Sequence, residues 1–303
     1  MDNLSPLQPI KLIKYEIPES AVSYKPNAPF TAIVVSNERL TEEGASVDIR
    51  NVVFDISESG IRYIEGQSIG IIPPGFQEDG RPHRVRLYSI ASSRTGDDGL
   101  STTVTLCVKR VSFTDEQGKE VKGVSSNYLC DLLPGDSASL IGPTGRTFFL
   151  PKDDSVNLIM VAAGTGIAPF RAFIHRIYRE KKTWHGKVRL FYGVRNALES
   201  AYMNQQNADI GQYMSNDTFE AFQAFSQNED KSKVYVQHHV AEQRDELFQM
   251  IDDGNFSFYL CGMKAMEKSV EEVFREHAIE VGRDWDEMKA RFKAEGRWNV
   301  ETY

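Results

Sequence analysis

The sequence predicts two domains, an antiparallel β-barrel followed by an α/β domain built on a doubly wound parallel sheet. Three observations carry that expectation. At 303 residues the chain has room for two ordinary domains, each with its own core. From Pro29 to Leu150 the apolar residues come in short Val- and Ile-rich runs broken by Gly/Pro turns, the pattern of consecutive antiparallel strands. Beyond Pro151-Lys152-Asp153-Asp154 apolar runs alternate with helical stretches, the pattern of parallel strands joined by crossover helices. The expected boundaries are 1–28 for an N-terminal arm, 29–152 for the barrel and 153–303 for the α/β domain.

In order along the chain, residues 1–28 contain several prolines and little periodicity, and read as an extended arm. Strands are expected at 31–35, 47–54, 67–72, 85–92, 103–111 and 137–142, with turns at Pro73-Pro74-Gly75 and Pro134-Gly135-Asp136 and a helix over Asn127 to Leu133. In the second half, Leu158 to Ala163 is a continuous apolar run leading through Gly164-Thr165-Gly166 into a helix from Pro169 to Lys181. Strand-like runs at 188–194, 219–225, 233–237 and 256–261 alternate with helical stretches such as Met263 to Val281. The sequence carries neither an internal repeat nor a low-complexity segment.

Composition narrows the function classes. With 41% hydrophobic and 26% charged residues the chain reads as a soluble globular protein, and no stretch approaches the roughly 18 apolar residues of a membrane span. The start, Met1-Asp2-Asn3-Leu4-Ser5-Pro6, has neither the basic and apolar segments of a secretory signal nor the Arg-rich character of a transit peptide. A cytoplasmic location, in a bacterium, is expected, with a processed organellar form as the alternative. Cys107, Cys130 and Cys261 form no C-x-x-C pair, which speaks against a disulfide framework or a metal cluster and leaves an organic group as the redox centre. The net charge of −8 divides evenly between the halves, which argues against a nucleic-acid surface.

Four segments carry chemistry. Arg86-Leu87-Tyr88-Ser89-Ile90 lies on a strand whose alternation sends Arg86 and Tyr88 to one face, a cation and an aromatic plane for one ligand, although either residue is also ordinary on a strand. Gly123-Val124-Ser125-Ser126 precedes a helix, where free N–H groups and the helix dipole favour a pyrophosphate; a simple N-cap is the plainer reading. Ala163-Gly164-Thr165-Gly166-Ile167-Ala168-Pro169 is a glycine turn between a buried strand and a helix, suited to a dinucleotide phosphate but lacking the third glycine of the usual fingerprint. Tyr259-Leu260-Cys261-Gly262 repeats the strand–Gly–helix form, so two strand ends can face one crevice.

Together with the terminal Val300-Glu301-Thr302-Tyr303, these motifs in this order resemble the plant-type ferredoxin-NADP(+) reductase family over residues 30–303. The resemblance implies an FAD-binding barrel, an NADP(H)-binding α/β domain, and an enzyme that exchanges hydride between NADP(H) and FAD and single electrons with a small acidic carrier, with NADPH diaphorase activity. It implies that Tyr88 and Tyr303 sandwich the isoalloxazine, that Arg86 pairs with the FAD pyrophosphate, and that Ser89 hydrogen-bonds near flavin N5. Phe113 falls against the adenine, and Val124, Ser125 and Ser126 hold the phosphates. Lys109 matches a contact to the NADP pyrophosphate, Thr165 and Gly166 meet the nucleotide, Cys261 meets the nicotinamide, and Tyr303 moves aside for it. Glu301, near Ser89, links N5 toward solvent.

For the 2′-phosphate, Ser226, Lys233 and Tyr235 match the family's Ser, basic residue and stacking Tyr, whereas Gln227 stands where an Arg is usual. NADP(H) is still expected over NAD(H). The partner implied is ferredoxin or flavodoxin, steered by Arg81, His83, Arg84, Arg86 and Arg94, a stretch without an acidic residue, and by Lys264. Two alternatives remain: the reductase component of an oxygenase system with a separate carrier, and a non-catalytic nucleotide redox sensor.

Overall fold

The computed structural model describes residues 22–227 and 232–303; most of the arm, and Asn228 to Lys231 within the expected 2′-phosphate segment, lie outside the described residues. Six strands form the first sheet: β1 (Phe30–Arg39), β2 (Ile49–Asp55), β3 (Ser68–Ile72), β4 (Arg86–Ser89), β5 (Thr103–Lys109) and, after a small hairpin of β6 (Ser112–Thr114) and β7 (Glu120–Lys122), β8 (Ser137–Thr144). Their order is β4-β3-β8-β1-β2-β5, every neighbour antiparallel. An Ile90–Leu106 bridge and the Ala91 N–H to Thr105 O bond (2.8 Å) join the two ends, closing the sheet as a barrel. Alternation decides what fills it: Ala32 and Val34 are buried while Thr31, Ile33 and Val35 are exposed. Helix α1 (Val124–Asp131) plugs one side with Leu129 and Cys130, which join Val34, Val52 and Leu106 in one core.

The second sheet holds β9 (Asn157–Ala163), β10 (Val188–Val194), β11 (Phe219–Phe225), β12 (Phe256–Gly262) and β13 (Trp298–Thr302), all parallel, in the order β11-β10-β9-β12-β13. Helices cover both faces. On one, Met160, Leu190 and Tyr259 pack against α2 (Ala168–Ile174), which continues as a π-helical stretch to Lys181. On the other, Ile159, Phe191 and Phe258 pack against α3 (Val236–Glu242), α4 (Arg244–Asp252), α5 (Lys264–Glu280) and α6 (Trp285–Ala294). Double burial is why β9 reads as an unbroken apolar run, since each large side chain removed from water contributes about 1.5–3 kcal/mol on either face.

The run 233–237, expected as a strand, is not one. Ser232 to Tyr235 are irregular and Val236 opens α3, because Val236 and Val240, one helical turn apart, both reach the core. The fifth strand is instead β13. Trp298 holds it in place, stacking on Phe258 at 3.7 Å between ring centroids and meeting Phe274 and Trp285 edge-on.

A polar clasp fastens barrel to sheet. The buried Arg171 of α2 donates to Ala91 O and Asp97 Oδ1 (both 2.9 Å) across the seam and to Asp209 Oδ2 (2.5 Å) on its own side, with Tyr202 under its guanidinium. Tyr202 itself donates to Asn51 (2.7 Å), and Ser93 and Thr95 both donate to Glu180.

Candidate functional site

The clasp leaves two clefts open, one on the barrel and one at the strand ends of the parallel sheet. The first, of about 790 Å³, runs between the β4 face and the start of α1. Arg86 and Tyr88 project into it from alternate positions of β4, beside Arg84, Gly123, Val124 and Ser125. The α1 N-terminus has no side-chain cap, so the amides of Val124 to Ser126 are left for an anion. Arg86 Nη1 reaches only the carbonyls of Arg84 and Val85 (3.3 and 3.2 Å) and has no carboxylate partner among the described residues. The two serines have other work. Ser125 Oγ accepts from the Tyr88 hydroxyl at 3.0 Å, and Ser126 Oγ accepts from Val111 N–H at 3.2 Å and bonds back to Gly123 O. Backbone amides and guanidinium, rather than the hydroxyls, are therefore what the cleft offers a pyrophosphate. Phe113 stands exposed on the β6–β7 hairpin, outside the residues that line the cleft.

The second cleft, of about 530 Å³, opens at the C-terminal ends of β9 and β12, where the chain order reverses across the sheet. Lys109, Thr165, Arg195, Ser226, Tyr235 and Tyr303 line it; Lys233 is exposed and does not. Gly166 fits because a Cβ there would lie 2.0 Å from the Cys261 carbonyl oxygen, and Gly164 turns the chain at φ +53°. Gly166→Ala forces backbone to move, so a loss of about 1–3 kcal/mol in urea unfolding is expected, with weakened nucleotide binding.

Between the clefts lie Ser89, Cys261 and Glu301. The parallel ladder sets Cys261 opposite Glu301, and Ser89 hydrogen-bonds to the Cys261 thiol. Burial first, and then the charge of Glu301, push that thiol up to about 12 against the opposing Ser89 bond. It is a neutral, compact wall rather than a nucleophile. Burial likewise raises the half-buried Glu301 carboxyl. Tyr303 bridges the strand ends: its N–H donates to Gly262 O (3.1 Å) and its hydroxyl to Ala163 O (2.9 Å), 3.5 Å from Thr165 Oγ1. Tyr88 and Tyr303 line different clefts and form no ring pair among the described residues.

Two expectations about charge need correction. Arg94 forms a two-pronged ion pair with the buried Glu65, and Arg81 pairs with Asp79 at 3.0 Å, so the basic stretch from 81 to 96 is partly neutralised from outside and beside itself. Lys264 is exposed at the first turn of α5. Conversely, Arg195 and Glu199 on the second cleft went unforeseen; the only trace of Arg195 in the sequence is a cation directly after a buried strand.

The oxidoreductase NAD-binding domain family matches residues 160–272. The ferredoxin–NADP reductase of Thermosynechococcus vestitus is 42% identical over 303 residues, covering 97% of this chain and 78% of that protein. The chloroplastic leaf isozyme 1 of ferredoxin–NADP reductase from Arabidopsis thaliana is 40% identical over 286 residues, covering 92% of this chain and 79% of that protein. The chain belongs to the ferredoxin–NADP reductase family. Among solved structures, a point mutant of ferredoxin-NADP+ reductase from Plasmodium falciparum with 2'P-AMP matches with a TM-score of 0.74 over 94% of this chain and all of that one; at 22% identity this is a likeness of fold. The reductase is thus an FAD- and NADP(H)-dependent oxidoreductase, and its relatives favour neither the oxygenase component nor the sensor. Among the described residues no helix is long and apolar enough to cross a membrane.

Proposed function

We propose that this chain moves electrons between NADP(H) and ferredoxin or flavodoxin, with FAD held in the barrel cleft and the nucleotide in the strand-end cleft. The single observation that carries the reading is the juncture between them: Ser89 from the barrel and Glu301 from the parallel sheet both act on the Cys261 thiol. Bound FAD supplies the redox chemistry, taking two electrons as hydride from NADPH and releasing them singly.

The chain's own residues bind, orient and manage protons. Arg86 and the α1 amides of Val124 to Ser126 offer an anionic diphosphate fixed donors, while Asp79, on the same cleft wall with Glu78, is paired with Arg81. Tyr88, fixed through Ser125, offers its ring to one face of the isoalloxazine, and Phe113 closes over the adenine. Lys109 and Thr165, beside Gly166, receive the nucleotide diphosphate, and Ser226 and Tyr235 its 2′-phosphate end, with the exposed Lys233 outside the lining. Tyr303 covers the strand ends until the nicotinamide displaces it. Cys261 sets the ring's distance, while Ser89 and Glu301 manage the proton at N5. Arg84, Lys264 and the more weakly available Arg81 dock the acidic carrier.

The test uses the purified protein. It should carry a yellow flavin spectrum, reduce ferricyanide with NADPH in preference to NADH, and support ferredoxin-dependent cytochrome c reduction that weakens as salt rises. A colourless protein that FAD does not reconstitute would end the proposal. A bacterial cytoplasmic location belongs to the same reading, with a plastid as the alternative suggested by the chloroplastic relative, and subcellular fractionation distinguishes them.

A further inference from the structure

Among the described residues the adenosine end of the nucleotide cleft is short of cations. Ser226 and Tyr235 line it, Lys233 does not, and position 227 carries an exposed glutamine amide where the family resemblance leads one to expect arginine. A doubly charged phosphate is poorly held by neutral donors alone, because they cannot replace the hydration it gives up.

Arg195 stands beside that gap. It follows β10 directly, and the parallel ladder fixes its place: Val194 pairs with Phe225, Ser226 N–H donates to Val194 O at 3.1 Å, and Gln227 N–H donates to Arg195 O at 2.7 Å. Two neighbouring strand ends therefore bring Arg195 alongside Ser226 and Gln227, and its side chain lines the same cleft. The guanidinium is exposed. Its side-chain hydrogen bond goes from Nη1 to the neutral Ser46 Oγ at 3.0 Å, and that hydroxyl is itself committed to Glu199 at 2.5 Å. Among the described residues no carboxylate lies within ion-pair distance of Arg195; Glu199, on the same cleft, reaches it only through Ser46, so most of its donors are free for a ligand. The charge reaches into the cleft: after burial, Arg195 is the chief influence lowering the Lys109 ammonium, with Glu199 opposing.

We propose that Arg195 is the arginine that binds the 2′-phosphate of NADP(H), supplying from the end of β10 what position 227 lacks at the end of β11. The inference rests on the assignment of Ser226 and Tyr235 to that phosphate and adds to it the cation that sets NADP(H) above NAD(H). A planar guanidinium can give two parallel bonds to a phosphate while Ser226 gives a third, a geometry that lysine does not reproduce.

The FAD-loaded protein, titrated calorimetrically with 2′-AMP and 5′-AMP, tests this directly. Arg195→Gln should reduce the ratio of 2′-AMP to 5′-AMP affinity about ten- to thirtyfold, with a matching fall in the NADPH-to-NADH ratio of kcat/KM. Arg195→Lys should recover part of it, and Gln227→Arg placed on Arg195→Gln should restore most. An unchanged ratio in Arg195→Gln, while Ser226→Ala lowers it, overturns the role of Arg195 and leaves the 2′-phosphate assignment standing. Equal losses for both ligands and both nucleotides would place Arg195 on the diphosphate instead and also overturn the inference. A wild-type protein that does not discriminate 2′-AMP from 5′-AMP overturns the underlying assignment as well.

Discussion

Replacing Glu301 with alanine is expected to slow carrier-linked turnover about a hundredfold while leaving the flavin bound, the lower end of what a positioned acid–base group contributes. Glu301 sits opposite Cys261 in the β12–β13 ladder, close to Ser89, and its half-buried setting raises its carboxyl above the ordinary range. Electrons that leave singly toward a carrier must be matched by a proton leaving the same region, and Glu301 can accept it only when ionised. Turnover from NADPH to ferredoxin should therefore fall as the pH drops through this raised value, a higher pH than an ordinary carboxylate would give. Glu301→Gln keeps a hydrogen-bonding side chain but cannot ionise, so its rate should be low and lack that limb. Stability provides the control. Since the folded-state value is raised, the ionised carboxylate costs stability above it, and Glu301→Gln should unfold no more readily than the parent at pH 8. Persistence of the same acid limb in Glu301→Gln would remove Glu301 from the proton path.

Arg171→Met should cost about 3 kcal/mol in urea unfolding, the lower end of the range for breaking a buried ion pair from one side. Asp97 and Asp209 are both partly wetted, which softens the penalty, but they would face each other across the seam without the guanidinium that now joins them to Ala91. The pH dependence carries a second signature. Burial alone would raise Asp209, yet His175 at 3.0 Å and Arg171 together hold it well below the usual carboxylate range. A depressed folded-state value contributes stability that is present above the unfolded value of about 3.9 and lost as pH falls through the folded one. Arg171→Met should thus be markedly less stable than the parent at pH 7, with the two curves converging in acid. Parallel curves down to pH 2 would mean that the clasp contributes nothing specific.

Most of the architecture could be read from the residues because each half obeys one simple period. β1 alternates buried and exposed residues, β9 is buried on both faces, and Gly166 marks the only kind of residue that fits against the Cys261 carbonyl. The errors have a common origin in contacts that no local window contains. Val234-Tyr235-Val236 fits a strand or a helix equally well until the core that receives Val240 is known. Trp298 to Thr302 contains too few apolar residues to declare a strand, and becomes one because Trp298 stacks on Phe258. Glu65 neutralises Arg94 from 29 residues away, so a count of nearby charges overstates the positive field. At the site, the types of residue were legible and the availability of their atoms was not: the Ser125 and Ser126 hydroxyls looked free in sequence and are occupied in the fold.

The order of strands in the second sheet also bears on how the protein is made. All six barrel strands lie before Gly145, whereas β9, the central strand of the other half, finds its second partner only when β12 has been synthesised. As the ribosome adds residues, the barrel can close while the parallel sheet still lacks one side of its middle strand. During that interval the apolar edge of β9 that β12 will cover has no strand beside it. Chaperone dependence and truncation-induced aggregation should therefore trace to the interval before β12 emerges, and chains truncated after β8 should aggregate less than chains truncated after β11.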